Sequence, residues 1–243
     1  VVPTVHYNMG GIPTNWKGQV INNINNNEFI INGLWAAGEA ACTSVHGANR
    51  LGANSLLDIV VFGKACAENI GELNHPGEKI NNYDRKELVK DIEKYESFYN
   101  KDGDYSISEV RLEMQNIMQK YAGVFRNTVM LEEGVKKLNN LYKKLNNVKI
   151  ADRSKLFNTE YTELLELINL MDNALVTIEA ANFRKESRGA HSHDDFPERN
   201  DLEWLKHTLV KLKNNKALLS TRNTIQTVLD NEVKSIPLAK RVY

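Results

Sequence analysis

An α/β segment, then an all-α region, then a small C-terminal β-hairpin is the fold class this sequence predicts. Three observations carry that reading. Residues 1–54 are rich in glycine and turn formers and hold only short apolar runs. From 84 to 181, apolar residues recur at spacings of three and four, the period of a helix. After Trp204 the pattern alternates on either side of an Asn214-Asn215 pair, as a hairpin does around its turn.

Within the first part, the runs 29–31 and 34–37 read as strands, and NNINNN at 22–27 reads as an enlarged surface hairpin loop. A helix starts near Ser55, with Asn54 or Ser55 as N-cap, and ends near Ile70. Leu56, Leu57 and the run 59–62 make it apolar nearly all round, which predicts a buried helix. Pro76, Gly77 and Asn81-Asn82 mark 74–83 as a linker. Three helical stripes follow: Ile107, Val110, Met114, Ile117 and Tyr121; then Leu131, Val135, Leu138, Tyr142 and Leu145; then Leu164, Ile168, Met171, Leu175 and Ile178. None of them offers a ligand set, so they read as core, packed as antiparallel helices. The expected divisions are 1–73, 74–83, 84–182 and a tail, 183–243, that contains the hairpin.

Composition removes several functions. Lys+Arg 31 balances Asp+Glu 31 over 243 residues, so no bulk field favours nucleic acid or an anionic membrane. Two cysteines, Cys42 and Cys66, are too few for a disulfide framework, and no CxxC pair points to zinc or an iron–sulfur cluster. The most apolar run, 56–62, is interrupted by Asp58 and is too short to span a bilayer, so membrane association is expected through partners. The chain opens on Val-Val-Pro-Thr-Val without a signal-peptide pattern, which reads like the middle of a longer protein. The expectation is a fragment, a processed chain or one half of a split subunit.

The chemistry concentrates in HGANRLGANSLLDIVVFGKA, 46–65. One arginine, Arg50, lies among glycines and small residues just before an apolar helix. Such an arginine is costly unless it faces a carboxylate or another anion. The helix start at Ser55-Leu56 offers free backbone N–H groups and partial positive charge, suited to an anion or an electron-rich ring. Taken alone, the same residues read equally well as an ordinary helix start beside a structural arginine.

Five segments together resemble the succinate dehydrogenase/fumarate reductase flavoprotein family, which includes L-aspartate oxidase. PTVHYNMGGIPT (3–14) is similar to the family's substrate-side segment, and GLWAAGEA (33–40) to its second FAD motif. HGANRLGANSLLD (46–58) is the most specific of these three. ANFRKESRGAH (181–191) resembles the mark that ends the family's helical domain, and Arg241-Val242-Tyr243 a family ending. Asn54-Ser-Leu-Leu-Asp58 and Cys42-Thr-Ser-Val-His46 lean to the dehydrogenase branch.

The resemblance implies that residues 1–73 are the C-terminal return segment of a Rossmann-like FAD-binding domain. It further implies that His6 and Arg50 hold the two carboxylates of succinate, and that Glu39 accepts hydrogen bonds from FAD ribityl hydroxyls. Ser55 and Leu56 would present N–H groups to the flavin ring, and Gly10 and Gly11 would let the backbone pass close to it. His46 is implied either at the substrate or merely packed. Arg188 and His191 match family marks, with docking of the tail onto the FAD domain the favoured role. His193 stands where the family pattern has arginine.

The GxGxxG pyrophosphate turn is not in this sequence, nor is the capping domain that carries the family's acid/base arginine. The implied partners are therefore an N-terminal FAD-binding and capping half, an iron–sulfur subunit, membrane anchor subunits indirectly, and succinate or fumarate. The implied location is the matrix side of the mitochondrial inner membrane, or the cytoplasmic face of a bacterial one. Two other readings stay open, a structural subunit that docks the iron–sulfur protein and a helical-domain fragment with no separate native existence. An intact His6, Glu39 and Arg50 argue against the first.

Overall fold

The computed structural model describes residues 6–24, 27–78, 84–213, 216–226, 234 and 236–239. The N-terminal part holds β1 (Ile12–Pro13), β2 (Gln19–Ile24), β3 (Asn27–Trp35) and β4 (Ala41–Cys42). β1 runs parallel to β4, and β2 antiparallel to β3. Most of the expected 22–27 loop is ladder instead: Asn22 faces Phe29, Asn23 faces Glu28 and Ile24 faces Asn27, with 25 and 26 outside the described residues. The predicted run 29–31 and the first half of 34–37 belong to a single nine-residue strand that ends at Trp35. Asparagine's weak strand preference gives way here because strand formation depends on the partner strand more than on intrinsic tendency.

A 3-10 turn at Gly38–Ala40 leads into β4, and α1 (Asn54–Leu73) follows. Its N-cap is Ala53, one residue before the expected Asn54, and it ends three residues past Ile70. The expectation of a buried helix is not met. Only Asp58, Cys66 and Asn69 of α1 are buried, whereas Leu56 is 68% and Val60 69% exposed. The reason lies in what packs on it. The hairpin strands and the Gly38–Ala40 turn cover one stripe, tied by Trp35 Nε1 donating to Asn69 Oδ1 at 3.1 Å, and that stripe is the polar one. The apolar faces have no cover among the described residues. Of the expected linker, 79–83 lies outside the described residues.

The helical body consists of α2 (Arg85–Phe98), α3 (Ile107–Tyr121), α4 (Thr128–Lys144) and α5 (Thr159–Phe183). Each start is capped by a side chain, so donors that the helix leaves unpaired are satisfied locally. Asp84 accepts from the Lys86 N–H, Asn127 from Met130 and Asn158 from Tyr161, while Ser106 and Glu109 form a reciprocal capping box. The three predicted stripes meet in one core, with Leu131, Leu138, Leu164, Met171 and Ile178 fully buried and Tyr121, Val135, Tyr142 and Ile168 at its margin. Leu141 and Leu167 also lie there. α2 contributes only Phe98, because Leu88, Val89 and Ile92 point to solvent.

α6 (Asp201–Trp204) precedes the predicted hairpin, whose strands are β5 (Lys206–Lys213) and β6 (Lys216–Asn223). Lys213 pairs with Lys216 around the Asn-Asn pair, itself outside the described residues, as is 241–243. β5 and β6 pack on α5. No described helix is long and apolar enough to cross a membrane.

Candidate functional site

Residues 43–53 join β4 to α1 without regular strand or helix, and Ser44 and Ala53 both take left-handed backbone there. A left-handed non-glycine residue costs about 1–2 kcal/mol, and such conformations concentrate where side chains must be aimed. Here the loop and the first turns of α1 aim three side chains at Tyr7. The Tyr7 hydroxyl donates to Asp58 Oδ2 at 3.0 Å and lies 3.2 Å from His46 Nε2. His46 Nε2 in turn approaches Asp58 Oδ2 at 2.8 Å, which places its ring proton toward the carboxylate. The Arg50 guanidinium lies over the Tyr7 ring, 5.0 Å from its centre. Burial, the hydrogen bond to Asp58 and the charge on that carboxylate push the Tyr7 hydroxyl up to about 12, so it stays a neutral donor.

Arg50 is held with part of its donor set unused. Nη1 donates to the Leu51 carbonyl at 3.1 Å, while Nε is buried without a partner among the described residues. A buried unpaired N–H on a guanidinium fits a carboxylate better than any neutral group, because Arg offers two parallel donors in one plane. Asp58 Oδ1 and His46 Nδ1 are also buried without partners among the described residues, and both residues line a cavity of about 200 Å³ whose apolar wall includes Leu57, Val61 and Phe62.

The remaining expected residues surround this cluster. His6 is exposed, beside Tyr7, and the structure shows no contact between it and Arg50. The Asn8 N–H donates to Glu39 Oε1 at 2.8 Å, so one oxygen of that carboxylate is already engaged by the chain. Gly11 has φ +138 and packs so closely that an added Cβ would sit 2.6 Å from the Ala40 carbonyl oxygen. Gly10 has φ +105 and open space beside it. At the start of α1 the Leu56 N–H is taken by the Ala53 carbonyl at 3.1 Å. Ala53 carries no capping side chain, so no cap side chain takes the Ser55 N–H at the start of α1. The uncapped helix start and the bare backbone at Gly10 fit a flavin approaching this face.

Arg188 and His191 lie on the other side of the loop and act on the chain itself. Glu186 is 0% exposed and accepts from Arg188 Nε at 2.7 Å, Arg184 Nε at 2.9 Å and the Asn200 N–H at 2.9 Å. Burial alone pushes the Glu186 carboxyl up, but the bonds from Arg188, Asn200 and Arg184 outweigh it and hold it below its ordinary value. Arg188 also pairs with Asp201 at 2.7 Å. The Ala190 N–H donates to the Ala48 carbonyl at 3.0 Å, and Gly189, at φ +59, lies so near that an added Cβ would be 2.3 Å from that oxygen. The tail is thereby fastened to the loop that carries Arg50. Sequence reasoning passed over Tyr7, Asp58 and Glu186. Asp58 carried a signal, a lone carboxylate inside the most apolar run, and Tyr7 carried only its place beside His6.

Two family models match. Residues 111–243 match the one described as fumarate reductase flavoprotein C-term, and residues 1–56 the one described as FAD binding domain. The chain belongs to the succinate dehydrogenase/fumarate reductase flavoprotein family. FAD is accordingly the cofactor of the domain to which the first segment belongs. Among curated members, the mitochondrial succinate dehydrogenase [ubiquinone] flavoprotein subunit of Oryza sativa subsp. japonica is 49% identical over all of this chain and 39% of its own length. The succinate dehydrogenase flavoprotein subunit of Rickettsia bellii is 46% identical over all of this chain and 41% of its own. An E. coli quinol fumarate reductase structure superposes with TM-score 0.85 at 32% identity, over 99% of this chain and 39% of that one. The chain thus spans about two fifths of the length of these relatives.

Proposed function

We propose that this chain supplies the carboxylate-binding side, and part of the flavin cradle, of a succinate dehydrogenase flavoprotein that oxidises succinate to fumarate. The observation that carries the proposal is the Arg50 guanidinium, backed by the Tyr7 ring and left with a buried unpaired Nε. A dicarboxylate with no other handle needs a donor at each end, and Arg50 and His6 would hold it. Ser55 and Glu39 would hold FAD, which when bound accepts the hydride removed from the substrate. The acid/base that takes the accompanying proton belongs to the part of the relatives outside this chain's match, as do the pyrophosphate contacts. Electrons would pass to an iron–sulfur subunit and then to quinone, in a complex held peripherally at a membrane by anchor subunits. A mitochondrial relative and a bacterial one support the inner membrane as its place. Higher identity to the two dehydrogenases than to the fumarate reductase supports the oxidative direction.

The test is Arg50→Lys in the assembled enzyme. FAD content should be unchanged while kcat/KM for succinate falls about 30-fold to a few thousand-fold, the size expected when one partner of a desolvated charge pair is removed. Turnover and KM near wild type would overturn the clamp.

A further inference from the structure

Asp58 is 5% exposed and stands in the first turns of α1 between Leu56-Leu57 and Ile59-Val60. A buried carboxylate there is unfavourable unless the fold uses it. Its Oδ2 takes both the Tyr7 hydroxyl and the His46 ring, although Tyr7 lies 51 residues away in sequence. Tyr7 is the only described aromatic ring against which Arg50 packs. The segment bearing Tyr7 is pinned a second time one residue on, where the Asn8 N–H meets Glu39. His6 precedes this doubly held pair directly, so the same two anchors fix where its backbone lies.

We propose that Asp58 and Tyr7 are positioning residues for carboxylate recognition, with Asp58 fixing the Tyr7 ring as the platform that aims Arg50. The proposal rests on Arg50 being a carboxylate clamp. The hydroxyl of Tyr7 locks the ring in plane through Asp58, and the ring face limits the guanidinium to one orientation. The Leu51 carbonyl takes Nη1, and the edge carrying Nε is left for the ligand. Without the hydroxyl, the ring keeps its bulk but loses its lock. Without the ring, the guanidinium loses its platform, and a carboxylate must then bind to an arginine that samples several rotamers.

The experiment uses the assembled holoenzyme and malonate, a dicarboxylate without the two-carbon unit that is oxidised. Malonate inhibition, succinate KM and kcat, FAD content and the flavin spectrum are measured for Tyr7→Phe, Tyr7→Leu, Asp58→Asn, Arg50→Lys and the Tyr7→Leu/Arg50→Lys pair. Tyr7→Leu should weaken malonate about 10- to 30-fold, the range of a desolvated cation–π contact, with Tyr7→Phe and Asp58→Asn intermediate and FAD content retained. KM should change more than kcat. In the Arg50→Lys background, Tyr7→Leu should weaken malonate less than about twofold, because the group it aims is gone. Equal weakening by Tyr7→Leu in both backgrounds, or no weakening in either, overturns the positioning role. Normal malonate binding by Arg50→Lys instead overturns the clamp reading itself. Where Asp58→Asn or Tyr7→Leu fails to assemble, Tyr7→Phe decides, since it preserves shape: wild-type malonate binding by that variant rejects the proposal.

Discussion

At the scale of single residues, Glu186 carries the largest local consequence. Its two oxygens collect Arg184, Arg188 and the Asn200 N–H with no exposed surface of their own. Replacing it by alanine leaves two nearly buried guanidinia facing a void, with only Asp201 remaining for Arg188. Breaking one side of a buried ionic group costs about 3–5 kcal/mol, so Glu186→Ala should shift the urea midpoint sharply while Glu186→Gln shifts it less. Equal, small shifts for both variants would mean the arginines find other partners. The sequence KESRG gave no hint of this arrangement. An acidic residue between basic ones usually marks a solvated surface, and only the packing of α6 against the end of α5 removes the water.

At the scale of elements, the tail from α5 to β5 is built on histidines kept neutral. Burial, then the nearby Arg126 charge, lowers His191 to about 4. Burial first also lowers His193, which is 1% exposed, and His207 on β5. A histidine whose folded pKa lies below its unfolded value of about 6.5 binds its proton more readily when unfolded. Stability is therefore full above about pH 6.5 and declines as pH falls toward 4, the folded value of His191. Glu186, held below its ordinary value, also loses its contribution as pH falls, but starting from the ordinary carboxylate range at about pH 4 and continuing downward, so its window follows that of His191. Denaturant midpoints followed by circular dichroism should fall between pH 7 and pH 5, and His191→Gln should flatten that slope. An unchanged slope in the variant would show that His191 does not titrate with unfolding.

At the scale of the whole molecule, α1 is the anomaly. Leu56, Leu57, Ile59, Val60 and Val61 all face outward, and so do Phe29, Ile30, Ile31 and Leu34 of β3. The helical body, by contrast, closes its own core from Phe98 to Ala181. Hydrogen exchange on the chain by itself should thus be slow in α3, α4 and α5 and fast across residues 6–73, and FAD titration should show no tight binding. Strong protection over 6–73 together with tight FAD binding would mean that this chain completes a cofactor pocket unaided.

The helices and the hairpin strands were legible because each is encoded over a few neighbouring residues, whereas the one cap read from the sequence, Asn54 or Ser55, gave way to Ala53. Ile107 to Tyr121 repeats at helical spacing, and 206–213 and 216–223 alternate on either side of the Asn pair and pair in register. Arg50, His6 and Glu39 were legible as candidates because their motifs are contiguous. The faces they present were not. Whether Asp58 meets solvent or Tyr7, whether Glu186 is wet or enclosed, and which stripe of α1 is covered depend on segments tens of residues apart. Spacing along the chain sets which side chains share a face. Only the sum of long-range contacts decides what that face touches, because burial and charge pairing are properties of the packed neighbourhood and not of the residue.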